Sequence, residues 1–161
     1  SKAGFEEHSE ELGKIAVDGQ EIKEFLVNAI DEDTNAFDKV IKAMRMPNDS
    51  DSEKEIRAEK MQEGYKSAAE VPLEVVEYCY RALNTCDRIS KIMDDSMASD
   101  VGSGAQMSIA GARAAAYNVK INLKTITDSE YTSKTNKKLE KLLSECERVL
   151  QTVIKRVEKK F

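Results

Sequence analysis

This sequence predicts an all-α fold, an antiparallel bundle of about five long helical segments, and three observations lead to that prediction. Alanine, leucine, isoleucine, valine, glutamate and lysine dominate, whereas the chain has only two prolines, seven glycines and no tryptophan. Apolar residues recur at spacings of three and four along most of the chain. A length of 161 residues suits one domain with a sizeable core, so we expect residues 1–161 to form a single helical domain.

The first helical segment spans about residues 5–45, where the apolar spacing is that of one amphipathic helix. It ends before Pro47, because proline cannot continue a helix. The asparagine, aspartate and serine residues that follow predict a turn and then an N-cap. A second segment, about 52–70, begins there.

Pro72 marks the start of a third, amphipathic segment, about 72–93, because a proline inside a helix removes a backbone hydrogen bond and should kink or break it. The fourth segment is rich in alanine and glycine over residues 105–123. Small residues let helices approach closely, so this segment is predicted to be the central helix of the bundle. The last segment begins with Asp128 or Thr127 as its cap and continues to the end of the chain.

One carboxylate interrupts the apolar stripe of the first segment. On a helical wheel Asp33 lies in the middle of a narrow apolar arc, whereas Asp31 points to the opposite side. The arc consists of Ile22, Leu26, Ile30, Phe37, Val40 and Met44. Burial raises the pKa of a carboxyl group unless a cation or hydrogen bonds hold its charge, so an acid on a buried stripe is a candidate general acid–base. The alternative is a structural acid that pairs with an arginine or caps a neighbouring helix.

Four polar residues of the fourth segment are candidate binding residues. Asn118 and Asn122 lie one turn apart, and because asparagine is a weak helix former, their amides are expected to bind either a ligand or backbone carbonyls of a neighbouring helix. Ser99 and Asp100 open the stretch SDVGSG. This stretch is only superficially like a phosphate-binding loop, because it lacks the lysine and the preceding strand. The simpler interpretation is that both residues cap the helix that follows.

The cysteine and histidine content excludes several kinds of site. Cys79 and Cys86 lie seven residues apart on one helix, about 10 Å, which is too far for a disulfide. With an odd number of cysteines, we expect a reduced protein of the cytoplasm. A single histidine and no paired-cysteine motif argue against a metal site.

Charge and hydropathy exclude further classes of partner. No run of about twenty apolar residues occurs, so no membrane span is expected. Basic residues are not interleaved with aromatic ones and the net charge is −5, which argues against nucleic acid. The charge is unevenly distributed: residues 1–33 carry three basic and ten acidic side chains, and residues 111–161 carry twelve and six. Either oppositely charged helices attract each other, or the basic end holds an anionic small molecule.

Four stretches, in this order and spacing, resemble one family. They are DEDTNAFDKVIKAMRMP, AAEVPLEVVEYC, SDVGSGAQMSIAGARAAAYNVKINL and TDSEY. The family is that of formiminotetrahydrofolate cyclodeaminases and methenyltetrahydrofolate cyclohydrolases, including the cyclodeaminase domain of formimidoyltransferase-cyclodeaminases. The resemblance covers nearly the whole chain.

The resemblance implies an all-α bundle that dimerises and a tetrahydrofolate derivative as substrate, with no metal. In the cyclodeaminase reaction, nitrogen 10 of 5-formiminotetrahydrofolate attacks the formimino carbon, ammonia leaves and 5,10-methenyltetrahydrofolate forms. In the cyclohydrolase reaction, water opens the methenyl ring. The family gives the proton-transfer role to an aspartate of the DxDxxAF motif, which falls on Asp33. Folate binding is then expected at Ser99, Asp100, Asn118 and Asn122.

The sequence departs from the family at two places. Family members begin with a glycine-rich loop and an alanine-rich helix that this chain lacks, and their Gly–Asn-rich approach to SD is replaced here by MDDSMASD. A catalytically inactive dimerisation or scaffold module is therefore a third hypothesis.

The apolar faces of residues 105–123 and of the last segment exceed what one thin bundle buries, which predicts a homodimer or a higher oligomer. A formimidoyltransferase domain is a further expected partner.

Overall fold

The computed structural model describes residues 6–161, and four long α-helices form its core. They are α1 (Ser9–Met44), α2 (Asp51–Ser90), α3 (Ala98–Leu123) and α4 (Ser129–Val157). Single 3-10 turns precede α1, precede α3 and follow α4, at Glu6–His8, Asp95–Met97 and Glu158–Lys160. No strand occurs within the described range, so the all-α prediction is confirmed.

Capping hydrogen bonds between residues close in sequence fix where α2 and α4 begin. The hydroxyl of Ser50 accepts a hydrogen bond from the backbone N–H of Glu53 at 3.2 Å, and the Glu53 carboxylate accepts one from the Ser50 N–H at 2.8 Å. This reciprocal pair is a capping box. The Asp128 carboxylate accepts from the Tyr131 N–H at 3.0 Å and caps α4. The cap predicted after the turn at Pro47 is therefore Ser50, and of the two caps predicted for the last helix, Asp128 and Thr127, the structure uses Asp128.

The predicted cap of α3 is wrong. The helix begins at Ala98, directly after a 3-10 turn, so Ser99 and Asp100 already lie inside its first turn. The N-cap position is Met97, which makes no side-chain cap. The preceding turn is instead fixed by Asp94, whose carboxylate accepts from the Met97 N–H at 3.1 Å.

The bundle has four long helices and not about five, because α2 continues through Pro72. The carbonyl of Ala68, four residues earlier, cannot receive a hydrogen bond from a proline nitrogen. It accepts one from the Asn122 side chain of α3 at 2.8 Å instead, so the helix continues without an unpaired buried carbonyl. The central helix is α2 and not α3 as predicted, since α2 packs against each of the other three.

The helix α1 packs on α2 through small and β-branched residues repeated every seven positions. This buried row consists of Ile15, Ile22, Ala29, Ala36 and Ala43. The close approach is visible at Gly64, where a β-carbon would lie 3.1 Å from the backbone nitrogen of Val40. The predicted apolar arc is therefore only partly buried: Ile30, Phe37 and Met44 face outward, with 68%, 58% and 42% of their surface exposed.

Two arginines of α2 anchor the acidic half of α1. The Arg88 guanidinium binds Glu11 at 2.7 Å and also contacts Asp18, and Arg81 binds Glu21 at 3.0 Å. The pKa of Glu11 is lowered, first by its hydrogen bond with Arg88. These ion pairs join α1 to α2, so part of the acidic charge of residues 1–33 is balanced within the first two helices.

The cysteines pack in or against the core, and two of them face glycines. Cys79 and Cys146 are buried, Cys86 is half-buried, and all three are free thiols. Positions for a β-carbon on Gly111 and Gly104 lie 3.1 and 3.5 Å from the sulfurs of Cys79 and Cys86. Burial raises the pKa of Cys146 to about 11, so this thiol stays protonated at neutral pH. The predicted packing role of the cysteines agrees with this arrangement.

We expect Asp87 to make folding sensitive to acid. Burial raises its pKa, but hydrogen bonds with Lys91 and Arg156 outweigh burial and lower the pKa below its ordinary value of 3.8. Because the folded pKa is the lower one, the stabilisation is present above the ordinary value and is lost as pH falls through the folded pKa. In urea unfolding at pH 7 and pH 3, Asp87→Asn should show a smaller difference between the two pH values than the parent.

The exposed Asp38 provides a control for this measurement, because no ion pair or hydrogen bond engages its side chain among residues 6–161. Asp38→Asn should preserve the parental difference between pH 7 and pH 3. Equal pH dependence in Asp87→Asn and the parent would contradict the assignment.

Candidate functional site

Side chains of three helices line a groove on one side of the bundle. Its volume is about 260 Å³, and α1, α2 and α3 all contribute to its walls. The lining residues are Ala29, Asp33, Val71, Pro72, Val75, Gly111, Ala114, Ala115 and Asn118. The space exists because α3 lines it with the small residues Gly111, Ala114 and Ala115, where larger side chains would fill it.

Asp33 lies in this groove but is exposed, so its predicted burial is wrong. It follows Ala29 of the packed row by four residues and therefore sits at the edge of the α1–α2 contact. Gly111 and Ala114 across the groove are too small to cover it. No hydrogen bond or ion pair engages its carboxylate among the described residues, so the alternative of an acid paired with an arginine finds no support there.

Asn118 lies in the same groove, but it is carried by α3 whereas Asp33 is carried by α1. It is exposed, and its side-chain amide makes no hydrogen bond to any residue in the range 6–161. An amide can both donate and accept hydrogen bonds. The fold therefore brings two of the residues singled out in the sequence, a free carboxylate and a free amide, into one small groove.

Asn122 behaves differently from Asn118. It is half-buried, and its amide nitrogen donates to the Ala68 carbonyl at 2.8 Å and to the Asn118 carbonyl at 3.0 Å. The sequence left two partners open for this amide, a ligand or the backbone of a neighbouring helix. The structure contains the second, through the Ala68 carbonyl of α2.

Ser99 and Asp100 lie at the other end of α3. Asp100 precedes Asn118 by eighteen residues, which is about 27 Å along a helix axis. Both are exposed in the first turn. The fold does not bring them together with Asp33, and a folate-binding role for them stays a prediction.

Sequence reasoning missed two properties of this groove. Pro72 forms part of its wall, although the sequence indicated only a helix break. Exposed apolar side chains also flank it: Ile30 and Phe37 lie three residues before and four after Asp33, and on α3 Tyr117 lies three residues after Ala114 and Ile121 three residues after Asn118. Their exposed fractions are 68%, 58%, 73% and 58%. An outward-facing apolar arc and a buried one look alike on a helical wheel, so the sequence carried no signal to separate them.

A larger groove of about 470 Å³ between α1 and α2 is cationic. It is lined by Lys39, Lys42 and Lys60, but Lys60 is paired with Glu63 at 2.7 Å and Lys39 donates to the Ser67 hydroxyl at 3.1 Å. This groove contains no free acid, so the smaller groove is the better candidate for proton transfer.

The structure also bears on metals and membranes. Within residues 6–161, no cluster of three or more histidine, cysteine, aspartate or glutamate side chains is arranged to hold a metal ion. Over the same range, no helix has the length and hydropathy that a membrane span requires.

Comparison with known proteins identifies relatives of the chain. It matches the formiminotransferase-cyclodeaminase family over residues 1–141. A methenyltetrahydrofolate cyclohydrolase from Methylorubrum extorquens is 31% identical over 160 residues, which cover 97% of this chain and 77% of that protein. A formimidoyltransferase-cyclodeaminase from Gallus gallus is 32% identical over 135 residues, which cover 84% of this chain and only 25% of that protein.

A solved structure has the same fold. The crystal structure of a formiminotetrahydrofolate cyclodeaminase from Thermotoga maritima matches with a TM-score of 0.86 and 27% sequence identity. The match covers 99% of this chain and 75% of that chain.

Proposed function

Because this chain belongs to the formiminotransferase-cyclodeaminase family, we propose that it is a formimidoyltetrahydrofolate cyclodeaminase. The substrate is 5-formiminotetrahydrofolate, and the products are 5,10-methenyltetrahydrofolate and ammonia. The observation that carries the proposal is the unpaired Asp33 carboxylate in the same groove as the free amide of Asn118.

Asp33 is proposed to move the protons of this reaction. Nitrogen 10 must lose its proton as it attacks the carbon of the protonated formimino group, –CH=NH₂⁺, and the departing nitrogen must gain one to leave as ammonia. A carboxylate within reach of both atoms can accept the first proton and deliver it to the second. Because no arginine, lysine or backbone N–H of the described residues holds the charge of Asp33, its oxygens are available to the substrate.

Asn118 is proposed to bind the pterin edge, where donors and acceptors alternate. The groove volume of about 260 Å³ is below the roughly 300–1,000 Å³ of sites that enclose drug-sized ligands. It therefore suits the reacting end of a folate, with the remainder of the molecule lying outside the groove.

The test is to mix the purified protein with 5-formiminotetrahydrofolate and to record methenyl absorbance and free ammonia together. The proposal expects both products to appear in equal amounts.

A second candidate, methenyltetrahydrofolate cyclohydrolase, is favoured by the Methylorubrum extorquens relative, which aligns with 97% of this chain. It expects 5,10-methenyltetrahydrofolate to be consumed faster than in buffer. Absence of both activities would leave the non-catalytic scaffold as the remaining hypothesis.

We also propose that a second copy of the chain packs on the exposed apolar side chains that flank the groove. Large apolar side chains on α1 and α3 are exposed on either side of a shallow groove, and such a patch is normally buried by a partner. Phe37→Glu should place a charge in this interface and shift the mass measured by light scattering from dimer to monomer.

Val17 is the matched control for this substitution. It is also exposed on α1, at 60%, but it precedes Phe37 by twenty residues and so lies about 200° around the helix. Val17→Glu should leave the mass unchanged. A monomeric parent at micromolar concentration would refute the dimer.

A further inference from the structure

The proline of α2 removes a hydrogen bond at the floor of the groove. Pro72 is buried in the middle of α2 and has no N–H, so the carbonyl of Ala68 has no partner within its own helix. Ala68 is only 5% exposed, which keeps solvent from serving as a substitute. A buried carbonyl without a partner is unfavourable, so an element outside α2 must supply a donor.

Asn122 supplies that donor from α3. Its side-chain nitrogen lies 2.8 Å from the Ala68 carbonyl oxygen and 3.0 Å from the Asn118 carbonyl oxygen. A primary amide has two N–H hydrogens on one nitrogen, so each carbonyl can receive one of them. The amide therefore ties the backbone of α3 at Asn118 to the backbone of α2 one turn before Pro72.

We propose that Asn122 is a positioning residue, which replaces the N–H missing at Pro72 and thereby sets the spacing between Pro72 and Asn118 across the groove. Pro72 and Asn118 both line the groove that contains Asp33. Asn122 does not line it, and its donor nitrogen is already committed to two carbonyls, so it acts through Asn118 and does not bind the substrate itself. The effect on catalysis rests on the proposed function, whereas the hydrogen-bond replacement does not.

The replacement can be tested by a double-mutant cycle in urea. Asn122→Ala should raise the unfolding equilibrium constant about tenfold, since it leaves the Ala68 carbonyl unpaired. Pro72→Ala restores an N–H four residues after Ala68, so adding Asn122→Ala to that variant should raise the constant less than about threefold. If Asn122→Ala alone does not fold, recovery of folding in the double variant is the expected rescue. Equal effects of Asn122→Ala in both backgrounds would overturn the proposal.

Kinetics separate positioning from simple destabilisation. A loss of folded protein lowers the apparent kcat and leaves KM unchanged, whereas a displaced Asn118 should raise KM for 5-formiminotetrahydrofolate. Asn122→Ala should therefore raise KM about tenfold, and the double variant, which regains the N–H within α2 but not the link to α3, should keep the raised KM. An unchanged KM in Asn122→Ala would refute the positioning role.

Asn118→Ala is the comparison variant. Its side chain makes no hydrogen bond among residues 6–161, so unfolding should match the parent while KM rises, and Pro72→Ala should not rescue it. If the parent shows no turnover, the proposed function fails, but the unfolding cycle still decides whether Asn122 replaces the missing N–H.

Discussion

Asp33→Asn is expected to abolish turnover and to leave the fold intact. Asparagine has nearly the shape of aspartate, and the Asp33 carboxylate makes no hydrogen bond or ion pair within the described chain, so unfolding should not change. Asparagine cannot exchange a proton near neutral pH. General acid–base catalysis is typically worth about 10²- to 10⁴-fold, so the rate of methenyl formation should fall by that factor.

Asp31→Asn is the internal control for this substitution. Asp31 is exposed on the same helix, but two residues place it about 200° away from Asp33 and outside the groove. Both variants should be assayed side by side, with circular dichroism to confirm folding. If Asp33→Asn retains most of the rate, or if Asp31→Asn loses as much, the wrong carboxylate has been chosen.

Gly64→Ala is expected to be the most damaging single-methyl addition to the fold. A β-carbon there would lie 3.0 Å from a methyl of Val40, 3.1 Å from its nitrogen and 3.2 Å from its α-carbon. Two of these atoms are backbone, so α1 as a whole must move away from α2. Overpacking of this kind costs about 1–3 kcal/mol. Thermal unfolding should occur lower by about 2–4 °C for each kcal/mol lost in a chain of this size.

The same substitution at Gly19, on α1, is expected to have the opposite effect on stability. A β-carbon on Gly19 meets nothing within 4 Å. Gly19→Ala should therefore stabilise the protein by about 0.5–1 kcal/mol through helix propensity alone. Equal melting temperatures for Gly64→Ala and Gly19→Ala would show that the α1–α2 contact is looser than its geometry indicates.

Sequence reasoning succeeded where the determining interactions are local. The N-caps at Ser50 and Asp128 depend on residues three positions away, and the sequence predicted a cap in both places, although it left Asp128 and Thr127 as alternatives at the second. The break at Pro72 was not, because the donor that relieves it comes from Asn122, fifty positions later in the sequence. A rule about one helix cannot include a hydrogen bond from another helix.

The buried face of α1 was misassigned for a different reason. A helical wheel weighted by hydrophobicity favours large residues such as Ile30 and Phe37, yet the structure buries Ala29 and Ala36. Close approach of two helices requires small side chains, and that requirement is a property of the pair and not of either sequence alone. Asp33 was selected on the assumption of burial, which is wrong. Its place in the groove with Asn118 supports the proposed role on different grounds, and the family resemblance drawn from the motifs is confirmed.

The attachment of α1 has a consequence for the exchange of its amide hydrogens with solvent. It packs mainly on α2, whereas α2, α3 and α4 all contact one another. A helix held on one side can open while the other three stay folded, so its amides should exchange sooner than those of α3. A substrate that contacts both Asp33 and Asn118 would join α1 to α3. The free energy that closes α1 onto the bundle would then be part of the free energy of binding, and saturating ligand should slow exchange along α1 first.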